Sequence, residues 1–180
     1  MSHVFVALLS GINVGGSRIV RMAELRDFLV GLGFTDVSTY VQSGNVVFRA
    51  EEDDAPEVTA KLEKAFEARW TFHSRIMVRD IDWLKRAVSG NPYPNAASDP
   101  TKLHLFTLER TPTEDELARL SARDTHGDEW QVDDDRLYLF APNGIGKSKF
   151  VEGLPLTLKL PMTARNWRTV LALSDMAEKA

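Results

Sequence analysis

The sequence predicts an α+β protein made of two ferredoxin-like (βαββαβ) halves, each with a mainly antiparallel sheet. Three observations point there. The order of strand-like and helix-like segments repeats on the two sides of one proline- and asparagine-rich stretch, Asn91-Pro92-Tyr93-Pro94-Asn95-Ala96-Ala97-Ser98-Asp99-Pro100. Each half opens on an apolar strand, and each carries a polar turn between two short strands, the mark of a hairpin. The expected boundaries are 1–91 for the first half, 92–101 for the linker and 102–180 for the second half. Residue identity between the halves is negligible, so element order alone carries the duplication.

Residues 3–9 are apolar on both alternating sets and predict a strand covered on both faces. A glycine-rich loop follows, from Ser10 to Arg18. Met22, Leu25, Leu29 and Leu32 recur at helical spacing, and Gly33 supplies a stop. Residues 37–41 and 46–48 predict two strands around the turn Ser43-Gly44-Asn45. Asp54 is placed to cap a helix carrying Val58, Leu62 and Phe66. A strand over 75–78 and a short helix capped by Asp80, with Ile81, Leu84 and Val88, close the first half.

The second half opens on a strand over 103–108. Thr113 and Glu116 form a capping box ahead of a helix with Leu117 and Leu120. Residues 130–132 and 136–140 predict strands around the turn Asp133-Asp134-Asp135. A helix from about Lys147, a strand near 162–164 and a last helix capped by Asn166 follow. Pro155 and Pro161 make this half the less regular one.

Composition narrows the function classes. The chain has 180 residues, 43% of them hydrophobic, 27% charged, and none cysteine. A disulfide scaffold, a thiolate zinc site and a cysteine nucleophile are therefore excluded. The longest apolar run, Val4-Phe5-Val6-Ala7-Leu8-Leu9, falls far short of the roughly 20 residues that span a bilayer. No secretion signal is read at the start, so the expected location is cytoplasmic, with no membrane partner. The net charge of −4 argues against a general nucleic-acid binder. That charge is unevenly spread. Residues 109–135 hold ten acids against Arg110, Arg119 and Arg123, whereas residues 142–169 hold Lys147, Lys149, Lys159, Arg165 and Arg168 against Glu152 alone.

Four segments resemble a known family: Ala7-Leu8-Leu9-Ser10-Gly11-Ile12-Asn13-Val14-Gly15-Gly16, Met22-Ala23-Glu24-Leu25, Tyr40-Val41-Gln42-Ser43-Gly44-Asn45-Val46-Val47-Phe48 and Thr163-Ala164-Arg165-Asn166-Trp167-Arg168-Thr169. Together they are similar to the signature of the domain of unknown function 1697 family, over nearly the whole chain. The family's signature usually carries arginine where Ser10 stands. The resemblance implies a bacterial-type cytosolic α+β protein and brings no established activity.

The chemistry-bearing segments are few. Ala141-Pro142-Asn143-Gly144-Ile145-Gly146-Lys147-Ser148 fits a relaxed phosphate-loop pattern, with alanine replacing the leading glycine. A true phosphate loop follows a strand of a parallel sheet, whereas this one follows an antiparallel hairpin, so a nucleotide hydrolase is disfavoured. A weaker reading survives: a helix start with two lysines and a serine suits an anion. In the βαββαβ order, the connection after strand three and the end of strand four lie at one edge of the sheet. Lys147, Ser148, Lys149, Arg165, Asn166 and Arg168 are accordingly expected to form one anion-binding surface. In the first half the opposite edge gathers Gly15, Gly16, Arg18, Ser43 and Asn45, for which ligand binding and plain turn chemistry are both adequate accounts.

His3, His73, His104 and His126 are scattered without metal-ligand spacing, and no metal site is expected. The Asp133-Asp134-Asp135 turn reads as solvated. No serine–histidine–acid set can be assembled, so catalytic residues and any cofactor stay open, as does whether the protein is an enzyme. The first functional reading is an uncharacterised cytosolic protein binding a small phosphate- or carboxylate-bearing ligand. The second is an RNA-binding module using the sheet face, with Phe5 and Phe48 on the strands that carry stacking aromatics in such domains. The third is a structural or regulatory interaction protein. Because the first strand is apolar on both faces, its sheet is expected to be covered by the other half or by a second copy of the chain.

Overall fold

The computed structural model describes residues 2–52 and 54–180. They fall into two units, one ending at Val88 and including Leu171–Ala180, the other Ser89–Val170.

The first unit runs β1 (His3–Leu9), α1 (Met22–Gly31), β2 (Thr35–Tyr40), β3 (Asn45–Ala50), α2 (Ala55–Trp70), β4 (Ile76–Asp80) and α3 (Ile81–Ser89), whose last residue falls in the second. Its sheet has the order β2-β3-β1-β4, and every neighbouring pair is antiparallel. Period-two alternation sends Phe5, Ala7 and Leu9 to one face, where they join Val46, Phe48, Ile76 and Val78. Leu25 and Leu29 of α1 and Val58, Leu62 and Phe66 of α2 belong to the same cluster. Fully burying such a side chain stabilises by about 1.5–3 kcal/mol, so this layer is what makes the half cohere. The opposite set, Val6, Leu8, Val47 and Met77, is buried as well, as the all-apolar β1 requires.

That burial removes the two aromatics on which the RNA reading relied. Phe5 and Phe48 face each other across the register with ring centroids 6.0 Å apart, inside the helix-side core, and neither is displayed for base stacking.

The second unit contains a 3₁₀ turn at Pro94–Ser98, then β5 (Leu103–Leu108), α4 (Glu114–Ser121), β6 (Glu129–Asp133), β7 (Arg136–Phe140), a second 3₁₀ turn at Ile145–Lys147, α5 (Lys149–Leu158) and β8 (Met162–Asn166). Its sheet repeats the arrangement as β6-β7-β5-β8, again all antiparallel. The helix side is packed by Phe106, Leu108, Leu137, Leu139, Phe150, Leu154 and Leu158. α6 (Trp167–Lys179) begins in this unit and ends in the first. Both halves thus have the expected βαββαβ order and a trailing helix. Among the described residues no helix is long and apolar enough to cross a membrane.

Most of the expected caps form. The Asp80 carboxylate accepts the Trp83 N–H at 2.6 Å, Asn166 Oδ1 accepts the Thr169 N–H at 2.9 Å, and the Thr113–Glu116 capping box is complete. Asp54 is the exception. It occupies the N-cap position of α2, but its side chain makes no capping bond. β2 also starts earlier than its apolar pattern suggests, because Asp36, at φ 50°, shifts the register and lets Thr35 pair with Arg49.

Candidate functional site

Register defines the basic end of the second sheet. Leu103, at the start of β5, is opposite Phe140, the last residue of β7, and His104 is opposite Asn166, the last residue of β8. The Ala141 N–H then bonds Lys102 O, and the Trp167 N–H bonds Pro100 O. The loop leading into α5 and the start of α6 therefore leave the sheet at the same end, on the two sides of β5. In this respect the backbone brings the 147–149 and 165–168 segments to one end.

The six expected ligand residues divide by what their side chains already do. Ser148 is buried; its hydroxyl caps α5 by accepting the Val151 N–H and donates to the Asp128 carboxylate. Asn166 spends its carbonyl oxygen on the first turn of α6. Arg165 is partly buried and donates to Thr163 Oγ1 and Ala164 O, each at 2.8 Å. Burial pulls its guanidinium down to about 10. Alternation puts Arg165 on the face of β8 opposite Met162 and Ala164, which pack on the helix-side core. Lys147, Lys149 and Arg168 are different. All three are exposed, and among the described residues none has an acidic side chain within ion-pair distance. Arg123 lies across the middle of α5 at Gly153, donating to Lys149 O and Thr157 Oγ1 with its guanidinium over the Phe150 ring.

The phosphate-loop-like segment is not a helix start at Lys147. The 3₁₀ turn occupies Ile145–Lys147 and α5 begins at Lys149, so the serine that a nucleotide site would use for its metal ion is the helix cap. The acidic hairpin tip is likewise explained internally: Arg136 is buried and bonds Asp133 at 2.8 Å and Asp134 at 3.4 Å. Among the described residues no group of three His, Cys, Asp or Glu side chains is disposed to hold a metal ion.

In the first half, Gly15 and Gly16 form the two central residues of a tight hairpin. Both have positive φ (58° and 76°), the Ser17 N–H bonds Val14 O, and Val14 bridges Ser17. Positive φ at both positions is the demand of a type I′ turn, which glycine meets without strain. Asn13 ties this hairpin down: its amide donates to Val20 O and Gln42 O and its oxygen accepts the Val20 N–H. The fully buried Asn45 donates to Tyr40 O and to Ser43 Oγ, and the Arg18 guanidinium lies over the Phe72 ring at 5.6 Å. Gly15, Gly16, Ser43 and Asn45 thus serve turns, and the loops of this edge are drawn together through Asn13 and Gln42.

Sequence reasoning passes over His104. It is only 7% exposed at the basic end of β5, burial lowers its pKa against the opposing effect of the Lys102 backbone, and among the described residues its Nδ1 meets no partner at full hydrogen-bond geometry. A buried orphan nitrogen is uncommon, and nothing in a lone histidine of an apolar strand announces it.

Comparison with known proteins places the chain. No curated protein matches it. Among solved structures it is similar to the conserved bacterial protein SP0830 from Streptococcus pneumoniae, with a TM-score of 0.75 and 24% identity, over 98% of this chain and 99% of that one. At that identity the likeness concerns the fold. The family described as "Protein of unknown function (DUF1697)" matches residues 1–138, which takes in the whole first half and ends before the basic segment. The chain belongs to the DUF1697 family of proteins of unknown function.

Proposed function

We propose that this is a cytosolic protein, built of two ferredoxin-like units, that binds a small phosphate- or carboxylate-bearing ligand at the basic end of its second half. One observation carries the reading. Lys147, Lys149 and Arg168 are exposed and, among the described residues, without acidic ion-pair partners at one end of a sheet, in a protein whose net charge is negative. Charge-assisted hydrogen bonds to an anion are the strong kind, and the N-termini of α5 and α6 add aligned backbone dipoles. Ser148, Asn166 and Arg165 act in this reading by holding the elements that present the three cations. The test is an amide NMR titration with inorganic phosphate, with chloride as the control anion. Saturable shifts should concentrate at 144–149 and 166–169. Shifts spread evenly over all lysines and arginines would mark nonspecific screening and refute the site.

A second reading, an interaction protein, is favoured by the exposure of Val14 and Ile19, 64% and 56%, on and beside the glycine hairpin. Light scattering across a concentration series tests it for self-association. Association that Val14→Ser with Ile19→Ser abolishes supports this reading, and a monomer at every concentration opposes self-association.

A further inference from the structure

The second unit also holds a concavity of quite different chemistry. A cavity of about 300 Å³ is lined by Pro92, Tyr93, Pro94, Asn95, Glu129 and Phe140. This is the lower end of the range in which small-molecule sites fall, roughly 300–1,000 Å³. Its geometry follows from register and from one turn. Glu129 opens β6 and is the direct cross-strand partner of Phe140 at the end of β7, so the carboxylate and the ring leave the sheet on one face. Asn91 Oδ1 accepts the Tyr93 N–H at 2.9 Å, fixing Tyr93 at the entry to the 3₁₀ turn. Its ring centroid then lies 6.3 Å from that of Phe140, with the planes inclined by 32°. The lining mixes carbon and polar surface: two aromatic rings and two pyrrolidine rings beside the Asn95 side chain, with a single charged group.

That charged group is unspent. Among the described residues Glu129 has no lysine, arginine or histidine within ion-pair distance. Burial pushes the Tyr93 phenol up to about 12, with the Glu129 charge adding to the shift, so the ring stays neutral and its π face is intact at physiological pH.

We propose that this cavity binds the methylated ammonium group of a small organic ligand, with Glu129 as its counter-charge and Tyr93 and Phe140 as its aromatic partners. Aromatic faces attract cations through their quadrupole, and the attraction grows when the cation is desolvated. A primary ammonium ion would carry three N–H donors against ring and pyrrolidine surfaces, with Glu129 and the Asn95 amide oxygen as side-chain acceptors, and leaving a donor unmet is costly. A methylated ammonium has carbon where those donors were, so it matches ring and proline surfaces while keeping its charge. This site is independent of the anion reading and survives its failure.

The experiment is an amide NMR titration of the full chain with three probes. Choline has the charge and the methyl groups, 3,3-dimethylbutan-1-ol has the same carbon shape without the charge, and ethanolamine has the charge without the methyl groups. Choline should give saturable shifts at Tyr93, Glu129 and Phe140 and bind about tenfold more tightly than either of the others. Glu129→Gln, at an exposed position where folding is not threatened, should lose about tenfold in choline affinity, and Tyr93→Leu a similar amount. Equal binding of the neutral alcohol, tighter binding of ethanolamine, choline shifts unchanged in Glu129→Gln, or no saturable shift at all would overturn the proposal.

Discussion

The Ser148 hydroxyl donates a hydrogen bond to the buried carboxylate of Asp128, twenty positions earlier in the chain, while accepting one from the Val151 N–H. One side chain thus caps α5 and satisfies a carboxylate from the segment that leads into β6. Ser148→Ala removes both bonds and should cost about 2–4 kcal/mol, the sum of a lost cap and a stranded acceptor. Denaturant unfolding measures it. Phosphate affinity of the folded variant should stay within about twofold of wild type, since a change of that size is only a few tenths of a kcal/mol. A large loss of affinity with no loss of stability would return the serine to the binding site.

Gly44 and Gly15 should respond very differently to alanine. A Cβ at Gly44 would lie 2.7 Å from Leu9 Cβ and 2.9 Å from Ile12 Cδ1, on a backbone at φ 78°. Strain and overpacking together should destabilise Gly44→Ala by about 2–4 kcal/mol. At Gly15 no atom stands within 4 Å of such a Cβ, so only the conformational cost applies, about 1–2 kcal/mol. Comparing the two urea midpoints decides whether Gly44 is the tighter constraint.

Acid should weaken the second half through Glu116. Two bonds from Arg110 at 2.8 Å and the Thr113 N–H hold its carboxyl down from 4.5 to about 2. A depressed carboxyl stabilises above its unfolded value and loses that contribution as pH falls from about 4.5 towards 2. Glu116→Gln should therefore flatten the pH dependence of unfolding across that window, with little further change above pH 5. An unchanged acid limb would show that other carboxyls govern it.

Much of this architecture is legible from residue spacing because the two periodicities differ so sharply. Met22, Leu25 and Leu29 can only share one face of a helix, and Phe5, Ala7 and Leu9 can only share one face of a strand. Caps follow the same local logic at Asp80, Thr113 and Asn166. Asp54 departs from it, since a capping residue type does not guarantee the bond. Long-range pairings are not legible. Nothing near Ser148 announces Asp128, so a serine beside two lysines reads as a ligand contact while its work as a helix cap goes unseen. The Glu129, Phe140 and Tyr93 cluster is hidden for the same reason: β pairing and a distant turn bring it together, and no motif spans it. Arg165 illustrates the limit most plainly, because its charge is visible in the sequence while its burial is not.

Anion binding by Lys147, Lys149 and Arg168 is tested most directly by calorimetric titration with inorganic phosphate. Wild type should bind phosphate saturably, and more weakly as added salt shortens screening to about 8 Å. Replacing all three cations with alanine should lower affinity at least about tenfold while leaving the phosphate-free melting temperature nearly unchanged, because exposed unpaired charges contribute little to stability. A wild-type chain that takes up no phosphate, or a triple variant that binds it equally well, would contradict anion binding at this end of the second sheet.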